Sequence, residues 1–265
     1  MDVFERKFDL LENARNFIEE SIYDVERAKD KPSKWSFAIL HLIQGLELLI
    51  KHLLASNHKM LVYENIDNPK NTVSLQQGLD RLISFDSITI EEKEKRAIIS
   101  AIKYRNSIVH FEYDLNEKQA EAIYCELFEF IHFFYRKHIN SDLQDIIDKE
   151  LRYTEAELLS KFKKRFIIYH GQDMDNKHPL SIVEAQFFNG YRIETQIFKR
   201  VAFGKDDNFE LFSQDICGDC GVKKAMYHTN GCDHEQCPKC SGQVISCKCI
   251  IEELVEIDES AELSS

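Results

Sequence analysis

Seven of the eight cysteines fall in one window, Cys217 to Cys249, near the end of a 265-residue chain. No other feature constrains folding as strongly, because thiols crowded at fixed spacings either form disulfides or hold a metal. The window contains two Cys-x-x-Cys pairs, Cys217/Cys220 and Cys237/Cys240. Such a pair turns the backbone into a knuckle that aims both sulfurs at one ion, and a glycine just after it supplies the positive φ the turn needs. Gly221 and Gly242 stand at or next to that position. The start, Met1-Asp2-Val3-Phe4-Glu5-Arg6, has no basic stretch leading into an apolar core. No secretory leader is therefore expected, and in a reducing cytoplasm the paired spacing predicts metal rather than disulfides.

The remaining thiols extend the argument. Cys232, Cys247 and Cys249 add three ligands, and His228, at a His-x3-Cys spacing, is the better candidate for an eighth. Eight ligands serve two zinc ions and four serve one, so the expected cofactor is one or two structural Zn²⁺. Two partitions stay open. The knuckles can share an ion, or the ligands can group consecutively as 217/220/228/232 and 237/240/247/249. Fully liganded, sulfur-rich sites are structural, because catalysis needs an open coordination position. The pattern resembles the zinc ribbons of many bacterial proteins, with residues 206–251 as the module. Ribbons bind nucleic acid or protein. Residues 206–265 carry a net charge of −9, so a protein contact or plain stabilisation is the expected role here.

Upstream the texture is that of a mainly α protein. Residues 2–30 place apolar side chains at helical intervals, and Lys31-Pro32-Ser33 ends that run. Ser33 is expected to cap a second helix in which Ile39, Leu42, Ile43, Leu46, Leu49, Ile50 and Leu53 repeat at three and four. A loop over 65–71, a short helix near 74–84, a helix from Thr89 to His110 and another from Asn116 to His138 complete a five-helix bundle over residues 1–145. Residues 146–205 read as a connector: a helix near 154–165, then β-branched and aromatic runs broken by Gly171, Pro179 and Gly190. Residues 252–265 read as a frayed acidic tail. No apolar run reaches the roughly 18 residues of a membrane span, so no membrane partner is expected.

Net charge is −12, which gives no general attraction to phosphate. Contact with nucleic acid must be local. Lys161-Phe162-Lys163-Lys164-Arg165 is the one dense basic run, more readily explained as a solvated face than as a binding strip.

The fourth helix ends in Tyr104-Arg105-Asn106-Ser107-Ile108-Val109-His110, and the second carries Glu47 and Lys51. These features resemble the HEPN (higher eukaryotes and prokaryotes nucleotide-binding) domain over residues 1–140. HEPN members often carry an Arg-polar-x3-His motif. The resemblance implies a metal-independent endoribonuclease of a toxin–antitoxin or anti-phage system, with RNA as substrate and an antitoxin or regulatory protein as a possible partner. The residue chemistry agrees. His110 can move a proton, Arg105 offers a bidentate charge to a phosphoryl group, and Asn106 can orient either. Glu47 and Lys51 are candidates to line the same cleft, or form a surface ion pair. On a straight helix Arg105 and His110 are about 140° apart. In HEPN families two copies of the motif meet across a homodimer, which removes that difficulty. Arg165 to His170 repeats the spacing without the asparagine and is read as a decoy. The alternatives are a non-catalytic HEPN protein binding RNA, nucleotide or protein, and a zinc-ribbon adaptor whose helices only dimerise.

Overall fold

The structure, a computed structural model, describes residues 7–110, 113–206 and 214–257. It is mainly helical with small sheets, and divides into two compact units, Met1–Leu158 and Leu159–Ser265.

The first unit is built around α2 (Lys34–Asn57), whose neighbours are α1 (Leu10–Ala28), α3 (Leu75–Ser84), α4 (Glu92–His110) and α5 (Glu117–Ile139). Ile39, Leu42, Leu46 and Leu49 are completely buried, as the three-and-four repeat requires. By length and composition α2 could cross a membrane, but 61% of its most apolar window lies inside the bundle, as in a core helix. Gly45 sets its approach to α1: a Cβ there would lie 2.7 Å from Ile18 Cγ1 and 3.2 Å from the Ala14 carbonyl oxygen. From α5, Tyr124 and Phe128 are completely buried, and the Tyr124 hydroxyl lies 2.9 Å from Ser21 Oγ of α1.

Helix ends follow capping chemistry with local departures. Asp9 accepts from the Glu12 N–H and starts α1, later than the sequence suggests; residues 1–6 lie outside the described residues. Ser74 and Gln77 form a reciprocal capping box on α3, and Asn116 accepts from the Gln119 N–H on α5. Ser33 stands at the N-cap of α2, but its side chain makes no capping bond because its backbone is already helical. At α4 the Glu91 N–H donates to the Glu94 carboxylate, so the helix opens at Glu92 rather than Thr89. α6 (Arg152–Ser160) ends earlier than expected.

The second unit opens with a hairpin, β1 (Phe166–Tyr169) and β2 (Gln172–Asp175), turned by His170 and Gly171, both at positive φ. The β-branched run then conceals a helix, α7 (His178–Glu184), with Pro179 in its first turn. β3 (Gly190–Ile193) pairs with β4 (Gln196–Lys199) on one side and β5 (Ile251–Val255) on the other, both antiparallel. Residues 252–255 were expected in a frayed tail and are instead an edge strand; residues 258–265 lie outside the described residues. Leu254 packs on the cluster of Tyr191, Ile193 and Cys237, which explains why this acidic stretch orders.

Candidate functional site

The cysteine window resolves into two clusters in consecutive order. The ligating atoms of Cys217, Cys220, His228 and Cys232 lie within 4.8 Å of one another, and so do those of Cys237, Cys240, Cys247 and Cys249. Of the two partitions left open, the shared-knuckle one is excluded because each knuckle belongs to its own cluster. Both knuckles use the same backbone device. In the first, the Cys217 N–H donates to the Val222 carbonyl at 2.8 Å and the Gly221 N–H to the Cys217 carbonyl at 2.9 Å. In the second, the Cys237 N–H reaches the Gly242 carbonyl at 2.7 Å and the Ser241 N–H reaches the Cys237 carbonyl at 2.9 Å. Gly221 has φ +72, as a glycine there should. In the second knuckle the positive φ falls on Ser241 and not on Gly242, at a cost of about 1 kcal/mol.

Both donor sets fit a soft, tetrahedral cation, and the first shows it in detail. Sulfurs about 2.3 Å from a tetrahedral zinc stand about 3.8 Å apart. Cys217 Sγ and Cys232 Sγ are 3.7 Å apart. His228 Nδ1 lies 3.1 Å from Cys232 Sγ and 3.4 Å from Cys220 Sγ, so Nδ1 is the ligand nitrogen. Its Nε2 is buried without a hydrogen-bond partner, and Asp206 Oδ2 lies 4.0 Å away. Bonds from Cys220 and Cys232, against the effect of burial, hold the Cys217 thiol below its ordinary range, while the bonds of Cys217 and Cys220 to Cys232 push that thiol up. The window's other histidine, His234, sits beside Cys217 at 3.4 Å, outside the four-ligand set.

Sequence reasoning missed what holds this module in place. Arg200 and Glu235, each 1% exposed at the side chain, pair at 2.6 Å. Arg200 also donates to the carbonyls of Ala185, Phe188 and His228, tying the α7 region to the first cluster. No spacing rule links positions 35 apart, so burial was the only available signal.

In the helical unit the α4 motif has three separate fates. Arg105 Nη1 donates to Asn106 Oδ1 at 3.0 Å. His110 ends α4 and is exposed. Among the described residues no carboxylate pairs with Arg105 or His110. Lys51 is buried; its ammonium donates to Glu47 at 2.6 Å and to Thr72 at 3.0 Å. No hydrogen bond or ion pair among the described residues links Glu47 or Lys51 to Arg105, Asn106 or His110. Ser36 lies 2.7 Å from the Tyr113 hydroxyl, so the end of α4 approaches the start of α2. Glu47 and Lys51 stand about 16 and 22 Å farther along α2 at 1.5 Å per residue. The second spacing match is committed elsewhere: Arg165 pairs with Asp175 at 3.1 Å, and buried His170 bonds the Gly221 carbonyl at 2.7 Å.

No protein-family model, curated protein or solved structure matches this chain.

Proposed function

We propose that the chain is a metal-independent endoribonuclease of the HEPN type, a cytoplasmic toxin or anti-phage effector working as a homodimer, with structural zinc in both cysteine clusters. One observation carries the reading. In a chain of net charge −12, Arg105 and His110 stand at one helix end with no carboxylate paired to either among the described residues. A guanidinium and an imidazole kept clear of carboxylates in an acidic protein are available to an anion from outside, and an RNA phosphodiester supplies one.

Each group has a role in that chemistry. Arg105, steadied by Asn106, clamps the phosphoryl oxygens as negative charge develops. His110 transfers the proton between the 2′-hydroxyl and the leaving 5′-oxygen, with the second copy's His110 taking the complementary step. The angular splay of the motif motivates the dimer, in which two helix ends face one groove. Zinc is the ion proposed because thiolate and imidazole donors in tetrahedral array select it. Closed sites of that kind stabilise the fold, which leaves cleavage to side chains. Glu47 and Lys51, bonded to each other, with Lys51 also bonded to Thr72, tie α2 to the following loop and take no direct part in cleavage in this reading. An antitoxin or regulatory protein is the expected partner.

Cleavage of a labelled RNA in EDTA tests this. Arg105→Ala and His110→Ala should each lower the rate by at least about a hundredfold. Arg165→Ala should leave it nearly intact. Products should end in 2′,3′-cyclic phosphate, and the all-DNA analogue should survive. RNA binding without cleavage would favour the non-catalytic alternative, and loss of activity only in Arg165→Ala would overturn the site.

A further inference from the structure

The two cysteine clusters share a backbone design and differ in access. In the first, Cys217, Cys220, His228 and Cys232 are 0–3% exposed. In the second only Cys237 is buried; Cys240 is exposed, and Cys247 and Cys249 are half-buried. The second set also replaces the imidazole with a fourth thiolate, so it carries one more negative charge on sulfur for the same cation. Susceptibility of cysteine to peroxides follows thiolate character and access together.

The second cluster is also joined directly to β5. Cys249 stands two residues before Ile251, where β5 begins. Cys237, Cys247 and Cys249 pack with Ile251 and Leu254 on Tyr191 and Ile193. β5 is an edge strand paired with β3, and among the described residues no strand pairs with its other flank. The cluster thus borders the start of β5, while the Asn189 amide bonds both backbone groups of Ile257 just past its other end.

We propose that the second cluster is an oxidation site for hydroperoxides, at which Cys240 reacts first, a disulfide replaces two metal ligands, and β5 is released, while the first cluster keeps its ion. The chemistry balances with the hydroperoxide as oxidant. The Cys240 thiolate attacks the O–O bond, forming an S–O bond; the alkoxide leaves and is protonated to the alcohol, or to water when the oxidant is hydrogen peroxide. The Cys247 or Cys249 thiolate then attacks the sulfenic sulfur, forming the S–S bond; hydroxide leaves and is protonated to water. Two electrons pass from the sulfur pair to the O–O bond. The cluster's ligand atoms already lie within 4.8 Å of one another, so the second step needs only a small side-chain movement. Two remaining thiolates cannot complete a tetrahedral site.

This inference rests on zinc occupying both clusters, and the experiment separates the two claims. Full-length protein is first assayed for metal; fewer than two equivalents of zinc would defeat the occupancy reading before any oxidant is added. Loaded protein is then treated with hydrogen peroxide in the presence of a chromogenic chelator. One equivalent should leave at least roughly tenfold faster than the other. Differential alkylation and peptide mass mapping should find a disulfide that includes Cys240, with Cys217, Cys220 and Cys232 still reduced. Amide exchange should rise first over residues 251–255. Cys240→His, which keeps a fourth ligand and removes the exposed thiol, should slow the fast phase about tenfold. Simultaneous loss of both ions, or early oxidation of the first cluster, would overturn the proposal. Should Cys240→His fail to load, the mass map of the unaltered protein decides.

Discussion

In the helical unit a single helix buries Ile39, Leu42, Leu46 and Leu49 completely, and four neighbouring helices pack against it. In the cysteine-rich unit no strand among the described residues exceeds five residues, and five of the buried side chains, Cys217, Cys220, His228, Cys232 and Cys237, belong to the two candidate metal clusters. The first unit is stabilised by apolar area removed from water, a term spread over many side chains. With metal in both clusters, as proposed, the second concentrates its stability in two points, because ligands that do not converge in the unfolded chain make metal binding and folding one event. Damage should therefore be graded in the helices and close to all-or-none in the cysteine module.

Metal removal should produce the largest effect. With structural zinc at roughly 10–16 kcal/mol per site in small domains, chelation under reducing conditions should unfold the module. Amide protection over β3 and β5 should vanish, while the helical circular-dichroism signal falls only slightly. Cys217→Ser should act like partial chelation, reducing bound zinc by one equivalent. A helical signal that collapsed together with the module would break the contrast between the units.

A graded loss is the matching expectation for the helices. Leu46→Ala removes a fully buried side chain from α2 and leaves a cavity, at a cost of about 4 kcal/mol. Urea unfolding should show the shift, and zinc content should stay at the level of the unaltered protein. If Leu46→Ala also emptied the clusters, stability would not be partitioned as described.

The same contrast explains what the sequence disclosed. α2 and α5 are legible because burial along a helix repeats every three or four residues, a local signal. The metal ligands are legible because knuckle chemistry fixes spacing. Their partition is not, since Cys232 joins Cys217 and not Cys237 only through the folding of the loop between the knuckles. α7 is too short to show a period and lies among β-branched residues. β5 reads as tail because Glu252 and Glu253 dominate it, and its ordering depends on β3, some 60 positions earlier. Arg105, Asn106 and His110 could be placed at a helix end from local pattern alone. The bond from Lys51 to Thr72 joins a helix to a loop and leaves no such trace.

The smallest expected effect tests whether the helical unit is as purely apolar as this contrast supposes. Glu155 on α6 is completely buried, and neither carboxylate oxygen has a hydrogen-bond partner. Burial pushes its carboxyl up to about 8; the positive charge of Arg152 opposes this, and Asp142 and Asp145 reinforce it. The folded pKa is thus raised above the ordinary value of 4.5. The folded state holds the proton more tightly than the unfolded chain, so this group's stabilising contribution is complete below about pH 4.5 and is lost as pH rises toward 8. Glu155→Gln keeps the shape without the titration. It should stabilise the protein by up to about 3 kcal/mol at pH 7, with a smaller gain at pH 5. Urea midpoints of both proteins at pH 5, 6, 7 and 8 give the comparison directly. A gap that stays constant across that range would mean that Glu155 does not titrate in the fold, and that its surroundings solvate a charge the helices here exclude.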